Sequence, residues 1–215
     1  MTELTLLFDL DGTLTDSRPG IVSGMQHTLG VLGLPVPPEH SFLRFIGPPT
    51  HDAFRELLSS SDPELNARAI GIYREYYAKT GLFESSVYPG IAEGLAALNA
   101  AGATLFVATS KPQAFARQIL AHFELAQCFK CIYGSEFDGA RSVKGDLIAH
   151  VLTREGLTNE PWMIGDRLHD IRGAKLNGLR SAGVLWGYGS REELSEAGAD
   201  ALFTDMPELC EALIG

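Results

Sequence analysis

Leu4-Thr5-Leu6-Leu7-Phe8-Asp9-Leu10-Asp11-Gly12-Thr13 is a short, mostly apolar run that ends in two acids and a glycine. An apolar run of this length is typical of a strand that is buried on both faces, as strands of parallel sheets are. Residues two apart in an extended chain point to the same side, so we expect Asp9 and Asp11 to project together beyond the strand's carboxyl end. Gly12 allows the chain to turn sharply directly afterwards.

Further short apolar runs alternate with helical patterns along the rest of the chain. This alternation indicates βαβ units and a doubly wound, Rossmann-like parallel sheet, so the predicted fold class is α/β. The predicted later strands are 105–108, 131–133, 162–164, 182–186 and 201–203, and the predicted helices are 114–123, 145–154, 170–177 and 191–197. Open α/β sheets bind ligands in the crevice beyond the carboxyl ends of their strands, which is where the two acids are expected.

The segment from about Ser17 to Ser86 interrupts this rhythm, and we find no convincing buried strand in it. Its apolar residues recur at helical spacing, and Gly33 with a following proline cluster stops the first helix. Asp62-Pro63 has the composition of a helix start. The sequence therefore predicts an all-helical domain, 17–86, inserted into an α/β core domain made of 1–16 and 87–215.

Charge and composition limit the classes of partner. The 215 residues carry a formal net charge of −10, and this excess of carboxylates repels nucleic acid and anionic lipid surfaces. A small anionic substrate remains compatible, because a bound cation can invert the field locally. The first residues do not have the pattern of a signal peptide, and no apolar run approaches the roughly 20 residues of a membrane span. We therefore expect a cytoplasmic protein, monomeric or homodimeric, with no membrane or extended nucleic-acid partner.

A second acidic motif, Gly165-Asp166-Arg167-Leu168-His169-Asp170, follows the predicted strand 162–164. Parallel strands gather their carboxyl ends at one edge, so Asp166 can join Asp9 around one cation. A hard divalent cation with oxygen ligands would relieve the repulsion between such carboxylates. Asp170 lies near a predicted helix start, where its carboxylate could serve either as a helix cap or as a further ligand.

Two weaker motifs lie after the neighbouring strands. Thr109 ends the predicted strand 105–108, and its hydroxyl with the following N–H groups could bind an anion or cap a helix. Lys144 precedes a predicted helix, where it could balance the charge of a transferring phosphoryl group or simply be solvated. With these groups in place, one carboxylate of the Asp9–Asp11 pair could attack phosphorus while the other acts as general acid and base.

Taken together and in this order, the four segments resemble the haloacid dehalogenase-like hydrolase superfamily over nearly the whole chain. D-x-D-G-T near the N-terminus with G-D-x-x-x-D at 165–170 is a specific pairing. The helical insert looks like the C1 cap of that superfamily. Phe45-Ile46-Gly47-Pro48-Pro49 and the run 165–189 are similar to members of the phosphoglycolate phosphatase-like branch, which includes 5′-nucleotidases and predicted phosphatases.

The resemblance implies a Mg²⁺-dependent phosphatase that hydrolyses small phosphorylated metabolites through an aspartyl-phosphate. Asp9 would be the nucleophile and Asp11 the general acid and base. The other implied positions are Thr109, Lys144, Gly12 and Ser110 for phosphate, Gly47 for substrate, and Asp9, the Asp11 backbone carbonyl, Asp166 and Asp170 for the metal. Members often carry Lys-Pro where this chain has Lys144-Gly145, so Arg141 and Lys130 stay open as substitutes for Lys144.

Other functions share parts of this pattern. A dehalogenase would not need the second acid, so Asp11 argues against it. A 5′-nucleotidase or a β-phosphoglucomutase-like phosphotransferase has the same motifs, and the sequence does not identify the phosphate monoester. A receiver-like module gathers its acids differently and lacks the helical insert. An inactive binding module is disfavoured because every expected catalytic residue type is present.

Overall fold

The protein, seen here in a computed structural model that describes residues 4–158 and 160–215, is built around a parallel sheet. The strands of this sheet are β1 (Thr5–Phe8), β4 (Thr104–Pro112), β5 (Cys131–Ser135), β6 (Trp162–Gly165), β7 (Arg180–Val184) and β8 (Ala201–Phe203). Their spatial order is β5-β4-β1-β6-β7-β8, which places β1 at the centre. All five neighbouring pairs are parallel, so the carboxyl ends of the strands share one edge.

The central strand explains why the sheet is covered on both faces. Leu6 and Phe8 pack into one buried apolar cluster, whereas Leu7 packs into a second cluster. Successive side chains of a strand point to opposite faces, so both faces of β1 are buried. The helices outside the insert are α4 (Ile91–Ala100), α5 (Gln113–His122), α6 (Lys144–Glu155), α7 (Leu168–Leu176), α8 (Arg191–Ala197) and α9 (Met206–Ile214). The predicted α/β fold class with a helical insert is confirmed.

The inserted segment is helical as expected. It contains α1 (Arg18–Val31), a 3-10 turn at Glu39–Phe45, α2 (Thr50–Leu57) and α3 (Pro63–Tyr76), which continues as a π-helical turn at Tyr77–Gly81. Gly33 has a φ of 69° just beyond α1, and the Asp62 carboxylate accepts a hydrogen bond from the Glu64 N–H at the start of α3. Glycine and an acidic N-cap therefore end and begin these helices as their sequence indicates.

A short antiparallel ribbon, which the sequence analysis missed, joins the insert to the sheet. Its strands are β2 (Thr15–Asp16) and β3 (Ser86–Val87), with Thr15 opposite Val87. Each of these strands has two residues, which is too few to produce a periodic pattern in the sequence. Both connections of the insert run through this ribbon, next to the carboxyl edge of the sheet. The domain limits at 16/17 and 86/87 stay a prediction.

Several element ends differ from those predicted. β4 extends to Pro112 because its pairing with β5 resumes beyond a bulge between Thr109 and Pro112. β7 begins at Arg180, which pairs in register with Trp162. In the part of the chain that the structure describes, no helix combines the length and apolar character needed to cross a bilayer.

Candidate active site

The loop after β1 brings the first acidic motif to the shared edge of the sheet. Asp9 follows Phe8 directly and its side chain is buried. Gly12 has a φ of 83°, and a Cβ built there would lie 2.2 Å from the Asp166 Oδ2 atom. This position therefore needs glycine for two reasons: the left-handed backbone conformation and the close approach of the second acidic motif.

Three buried carboxylates meet at this edge. One oxygen from each of Asp9, Asp166 and Asp170 lies within 4.8 Å of the others. Asp166 accepts hydrogen bonds from the Thr13 hydroxyl (3.2 Å) and from the Tyr188 N–H (2.8 Å). Asp170 accepts one from the Arg167 N–H at 3.1 Å, so it caps α7 and also faces the cluster. The two uses that the sequence left open for Asp170 are compatible in one side chain.

Lys144 lies in the middle of this cluster. Its buried Nζ is 3.0 Å from the Asp9 Oδ1 atom and 2.8 Å from the Asp170 Oδ1 atom, and it donates to the Ala108 carbonyl at 2.9 Å. Lys144, the first residue of α6, thus contacts both the Ala108 carbonyl of β4 and Asp9 at the end of β1. A following Gly145 in place of proline does not prevent this.

The two alternatives to Lys144 lie elsewhere. Arg141 pairs with Glu136, and Lys130 pairs with Glu155 at 3.0 Å, with its Nζ over the Phe106 ring. Neither cation reaches the carboxylate cluster. The geometry therefore removes Arg141 and Lys130 as substitutes.

The electrostatics of the cluster are strained. Burial is the main cause that raises the pKa of Asp9 to about 6. The charge of Lys144 opposes this increase, and the charges of Asp170 and Asp11 contribute to it. Burial and the charges of Asp170 and Asp9 also raise the pKa of Asp166 well above its usual range. Burial alone would lower the pKa of Lys144, but the charges of Asp170 and Asp9 raise it instead.

These residues fit a divalent cation. Three carboxylates against one lysine leave an excess of two negative charges when all are ionised. The Oδ1 atoms of Asp9 and Asp170 are buried and receive no hydrogen bond of good geometry from any residue that the structure describes. Buried oxygen atoms with excess negative charge are the ligands that a hard cation such as Mg²⁺ prefers.

Asp11 lies apart from this cluster. Its carboxylate receives two hydrogen bonds from the Lys111 Nζ, at 2.9 and 2.7 Å, and one from the Ser17 hydroxyl. Sequence reasoning assigned no role to Lys111 or Ser17. The available signal for Lys111 was its position two residues after Thr109, at the end of a strand that shares the edge. The role implied for the Asp11 backbone carbonyl as a ligand stays a prediction.

Thr109 and Ser110 lie beside the two acids, although not at a helix start. Thr109 is buried, and its hydroxyl accepts a hydrogen bond from the Lys111 N–H at 3.3 Å. α5 begins only at Gln113, so the N–H groups after Thr109 belong to extended chain at a bulge. The helix cap that the sequence left open for Thr109 is therefore not formed, because pairing with β5 prolongs β4 to Pro112.

A cleft separates the carboxyl edge from the inserted helices. Its lining from the sheet side comprises Asp9, Asp11, Thr109, Ser110, Lys111, Pro112 and Phe115, and that from the insert comprises Ile21, Met25, Phe45, Gly47, Pro48, Thr50, Tyr73, Arg74 and Tyr77. Gly47 has a φ of 102°, and the Arg167 Nη1 donates to the neighbouring Ile46 carbonyl. The loop that resembles the phosphoglycolate phosphatase-like branch thus reaches both the cleft and the second acidic motif.

Tyr188 connects the carboxylates to the ribbon. Besides the bond from its N–H to Asp166, its hydroxyl donates to the Asp16 carboxylate at 2.8 Å. The same hydroxyl oxygen accepts hydrogen bonds from the N–H groups of Ser17 (2.9 Å) and Arg18 (3.1 Å). The sequence offered no signal for this contact, because Ser17 and Tyr188 are far apart along the chain.

Comparison with known families gives a match over most of the chain. The family model described as haloacid dehalogenase-like hydrolase matches residues 6–184. That range includes every residue of the carboxylate cluster together with Asp11, Lys111 and Lys144.

Curated relatives carry different names. A 5′-nucleotidase from Pseudomonas aeruginosa is 48% identical over 190 residues, covering 88% of this chain and 86% of that protein. The tyrosine-protein kinase PtkA from Mycobacterium tuberculosis is 40% identical over 97% of this chain and 72% of its own length. A phosphoglycolate phosphatase from Vibrio cholerae is 29% identical over 97% of this chain and 96% of its own length.

A solved structure agrees with the fold throughout. The crystal structure of a predicted phosphatase from Clostridium acetobutylicum has a TM-score of 0.93 and 41% sequence identity, covering 99% of this chain and 98% of that one. At this coverage the similarity includes the inserted helices as well as the sheet.

Proposed function

The chain is a phosphatase of the haloacid dehalogenase-like hydrolase family, and we propose that it hydrolyses small phosphate monoesters through a phosphorylated Asp9, with Mg²⁺ as cofactor. One observation carries the proposal: three buried carboxylates meet, Lys144 contacts two of them, and one of the three, Asp9, lines a cleft together with Asp11. Such a site has a nucleophile, a separate acid and base, and excess charge for a cation.

Asp9, Asp166 and Asp170 would hold Mg²⁺, with the Asp11 carbonyl as a further ligand. When bound, the cation would neutralise the repulsion between the carboxylate nucleophile and the phosphate and would help to orient the phosphoryl group. Lys144 supports the same charge balance from the protein side, because its Nζ contacts both Asp9 and Asp170.

The proposed reaction has two steps. In the first, an Asp9 carboxylate oxygen forms a bond to phosphorus, the bond from phosphorus to the ester oxygen breaks, and Asp11 donates a proton to the leaving alcohol. In the second, Asp11 accepts a proton from water as the water oxygen bonds to phosphorus. The bond to Asp9 then breaks and inorganic phosphate leaves. Thr109, Ser110, Lys144 and the Gly12 region would bind the phosphoryl oxygens during both steps.

The inserted segment 17–86 would act as a C1-type cap. It faces the carboxyl edge across the cleft, and its connections pass through the β2–β3 ribbon. Closure would exclude water while Asp9 attacks, and opening would admit water for the second step. Gly47 and its neighbours would lie against the substrate.

Two substrate classes follow from the relatives, and each stays a proposal. Phosphoglycolate phosphatase-like activity agrees with the branch that the cap loop resembles and with the Vibrio cholerae protein. A 5′-nucleotidase-type activity is the second candidate. It is favoured by the apolar and aromatic character of the cleft wall and by the higher identity of the Pseudomonas aeruginosa protein. A β-phosphoglucomutase-like phosphotransfer would use the same groups.

The experiment is a screen of phosphate monoesters with Mg²⁺, run in parallel on the wild-type protein and on Asp9→Asn. We expect the wild type to release inorganic phosphate and the variant to lose kcat by more than about 10³-fold, because an amide is a far weaker nucleophile than a carboxylate. A radiolabelled phosphate group that stays covalently bound to the wild-type protein after acid quenching would identify the phosphorylated intermediate.

Two outcomes would contradict the proposal. One is full activity of the wild type after exhaustive treatment with EDTA. The other is an Asp9→Asn variant that keeps a tenth or more of the wild-type kcat in a preparation free of contaminating phosphatase. A hexose phosphate converted to an isomer without phosphate release would favour the phosphotransferase instead.

A further inference from the structure

Tyr77 carries a buried hydroxyl group without a hydrogen-bond partner among the residues that the structure describes. Its side chain is 1% exposed and lines the cleft from the side of the insert. Leaving a buried hydroxyl unpaired is unfavourable, so such groups are rare in folded proteins. A hydroxyl kept in this state beside a cleft indicates that a ligand supplies the missing partner.

The backbone at Tyr77 differs from that of an ordinary helix. Tyr77 is the first residue of the π-helical turn that follows α3. Its ring is stacked against that of Tyr73, with centroids 5.4 Å apart, and also contacts Phe115 of α5 at 5.6 Å. Single π-helical turns occur often at functional sites, and the packing on both sides fixes the direction of the phenol.

Tyr77 is linked through Lys111 to Asp11, the group that would protonate the leaving alcohol. The Lys111 Nζ is 4.8 Å from the centroid of the Tyr77 ring, and the same atom is bonded to both carboxylate oxygens of Asp11. Burial and the charge of Asp11 raise the pKa of Tyr77 well above its usual range, so the phenol remains a donor. An oxygen or nitrogen atom close to the ester oxygen of a bound substrate would be the acceptor.

The rest of the cleft wall decides the kind of leaving group. Ile21, Met25, Phe45 and Phe115 are apolar. Of the two cations in the lining that the structure describes, Lys111 is matched by Asp11. The other, Arg74, donates to the Phe137 carbonyl at 2.6 Å and lies over the Phe137 ring. Neither contact neutralises the charge of Arg74, so the cleft can accept a neutral or an anionic leaving group, and its apolar wall favours one that bears a ring.

We propose that Tyr77 is a specificity-determining residue whose hydroxyl donates a hydrogen bond to the leaving alcohol of the substrate, and that this alcohol bears a ring and carries oxygen acceptors near the ester bond. The proposal rests on the phosphatase function above and names its substrate class. A nucleoside 5′-monophosphate satisfies these requirements, whereas 2-phosphoglycolate, which has no ring, does not.

The test compares Tyr77→Phe with the wild type on two substrates. The leaving group of uridine 5′-monophosphate bears rings with further oxygen acceptors, whereas that of phenyl phosphate bears a ring without further acceptors. Phenylalanine keeps the ring and its stacking, so only the hydroxyl is lost. We expect the ratio of kcat/KM for the nucleotide to kcat/KM for phenyl phosphate to fall about tenfold, the size of one hydrogen bond worth roughly 1.4 kcal/mol.

Tyr76→Phe is the matched control. Tyr76 is the preceding residue, it is stacked on His27 with centroids 4.6 Å apart, and it is not part of the cleft lining. The same deletion of one hydroxyl there should leave the substrate ratio unchanged. A purely structural role for Tyr77 would lower kcat/KM for both substrates by the same factor.

Each result has a defined meaning. An unchanged ratio in Tyr77→Phe, or equal losses on both substrates, overturns the hydrogen bond. A wild-type preference for 2-phosphoglycolate over uridine 5′-monophosphate overturns the ring-bearing leaving group. If the wild type with Mg²⁺ hydrolyses none of the three monoesters, the proposed function itself is wrong. Hydrolysis of phenyl phosphate without a selective effect removes the Tyr77 proposal alone.

Discussion

Asp9, Asp166 and Asp170 are placed where the fold cannot solvate their charges. All three side chains are buried, and Lys144 is the one cation that contacts Asp9 and Asp170 in the described part of the chain. Without a further cation, protonation of the carboxylates relieves their burial and mutual repulsion, as the raised pKa values of Asp9 and Asp166 indicate. Protons and a bound metal ion would therefore compete for the same oxygens.

This competition predicts a pH-dependent stabilisation by Mg²⁺. The folded-state pKa of Asp9 is about 6 and its ordinary value is 3.8, so the metal-free protein takes up a proton on folding. That contribution to stability is fully present below the ordinary value and is lost as the pH rises through the folded value. Ionised carboxylates bind Mg²⁺ better, so saturating Mg²⁺ should raise Tm more at about pH 7.5 than at about pH 5.

Thermal melts of EDTA-treated protein, with and without Mg²⁺ at the two pH values, measure this difference. Asp166→Asn provides the comparison, because the amide removes one charge and should reduce the Mg²⁺-dependent shift at both pH values. A Tm increase that is the same at both pH values in the wild type would show that these carboxylates do not control cation binding.

At the scale of elements, the carboxylates and the apolar wall of the cleft come from different parts of the fold. The carboxyl edge of the sheet carries the carboxylates and Lys144, whereas the inserted helices carry the apolar wall of the cleft. The two parts touch through apolar packing, such as that of Tyr77 on Phe115, and through polar contacts. One is the bond from Arg167, just before α7, to the Ile46 carbonyl at the end of the 3-10 turn. Arg167 also donates to Glu193 of α8, which holds its side chain in place.

We predict that Arg167→Gln weakens closure of the insert over the site. The charged donor to Ile46 is lost, and such a bond contributes roughly 1.5–3 kcal/mol, so KM should rise about tenfold or more while kcat changes less. Steady-state kinetics on phenyl phosphate measure both constants.

Arg172→Gln is the control for this prediction, since Arg172 is exposed on the same helix, α7. Equal kinetic constants in the two variants would mean that the contact between Arg167 and Ile46 does not influence closure. A large fall in kcat with unchanged KM would instead point to a disturbed Asp166, the residue next to Arg167.

At the scale of the whole molecule, the order of the strands explains why the sequence predicted the fold and the carboxylate cluster. β1 lies between β4 and β6, so residues that follow these strands must meet at one edge although they are far apart along the chain. Regular geometry makes such meetings predictable from strand ends alone. Asp9, Thr109 and Asp166 were found in this way.

The contacts that sequence reasoning missed have another origin. Lys111 reaches Asp11 because a bulge redirects the end of β4, and Ser17 reaches it through the ribbon. Tyr77 enters the cleft on a π-helical turn that no propensity predicts. These positions depend on local irregularities and on packing between distant segments, neither of which leaves a periodic signal. The roles of these residues are therefore visible only in three dimensions.

The side chain of Tyr188 spans the distance between Asp166 and the start of α1. One end of the residue is anchored on Asp166 and the other on the backbone of Ser17 and Arg18, and a phenol ring can neither stretch nor fold between them. Tyr188 therefore connects the Asp166 carboxylate to the start of α1. Phenylalanine at position 188 would span the same distance but lose the hydrogen bonds of the hydroxyl group. Methionine there would have similar bulk but a flexible side chain. The start of α1 is thus held close to Asp166 by a single side chain.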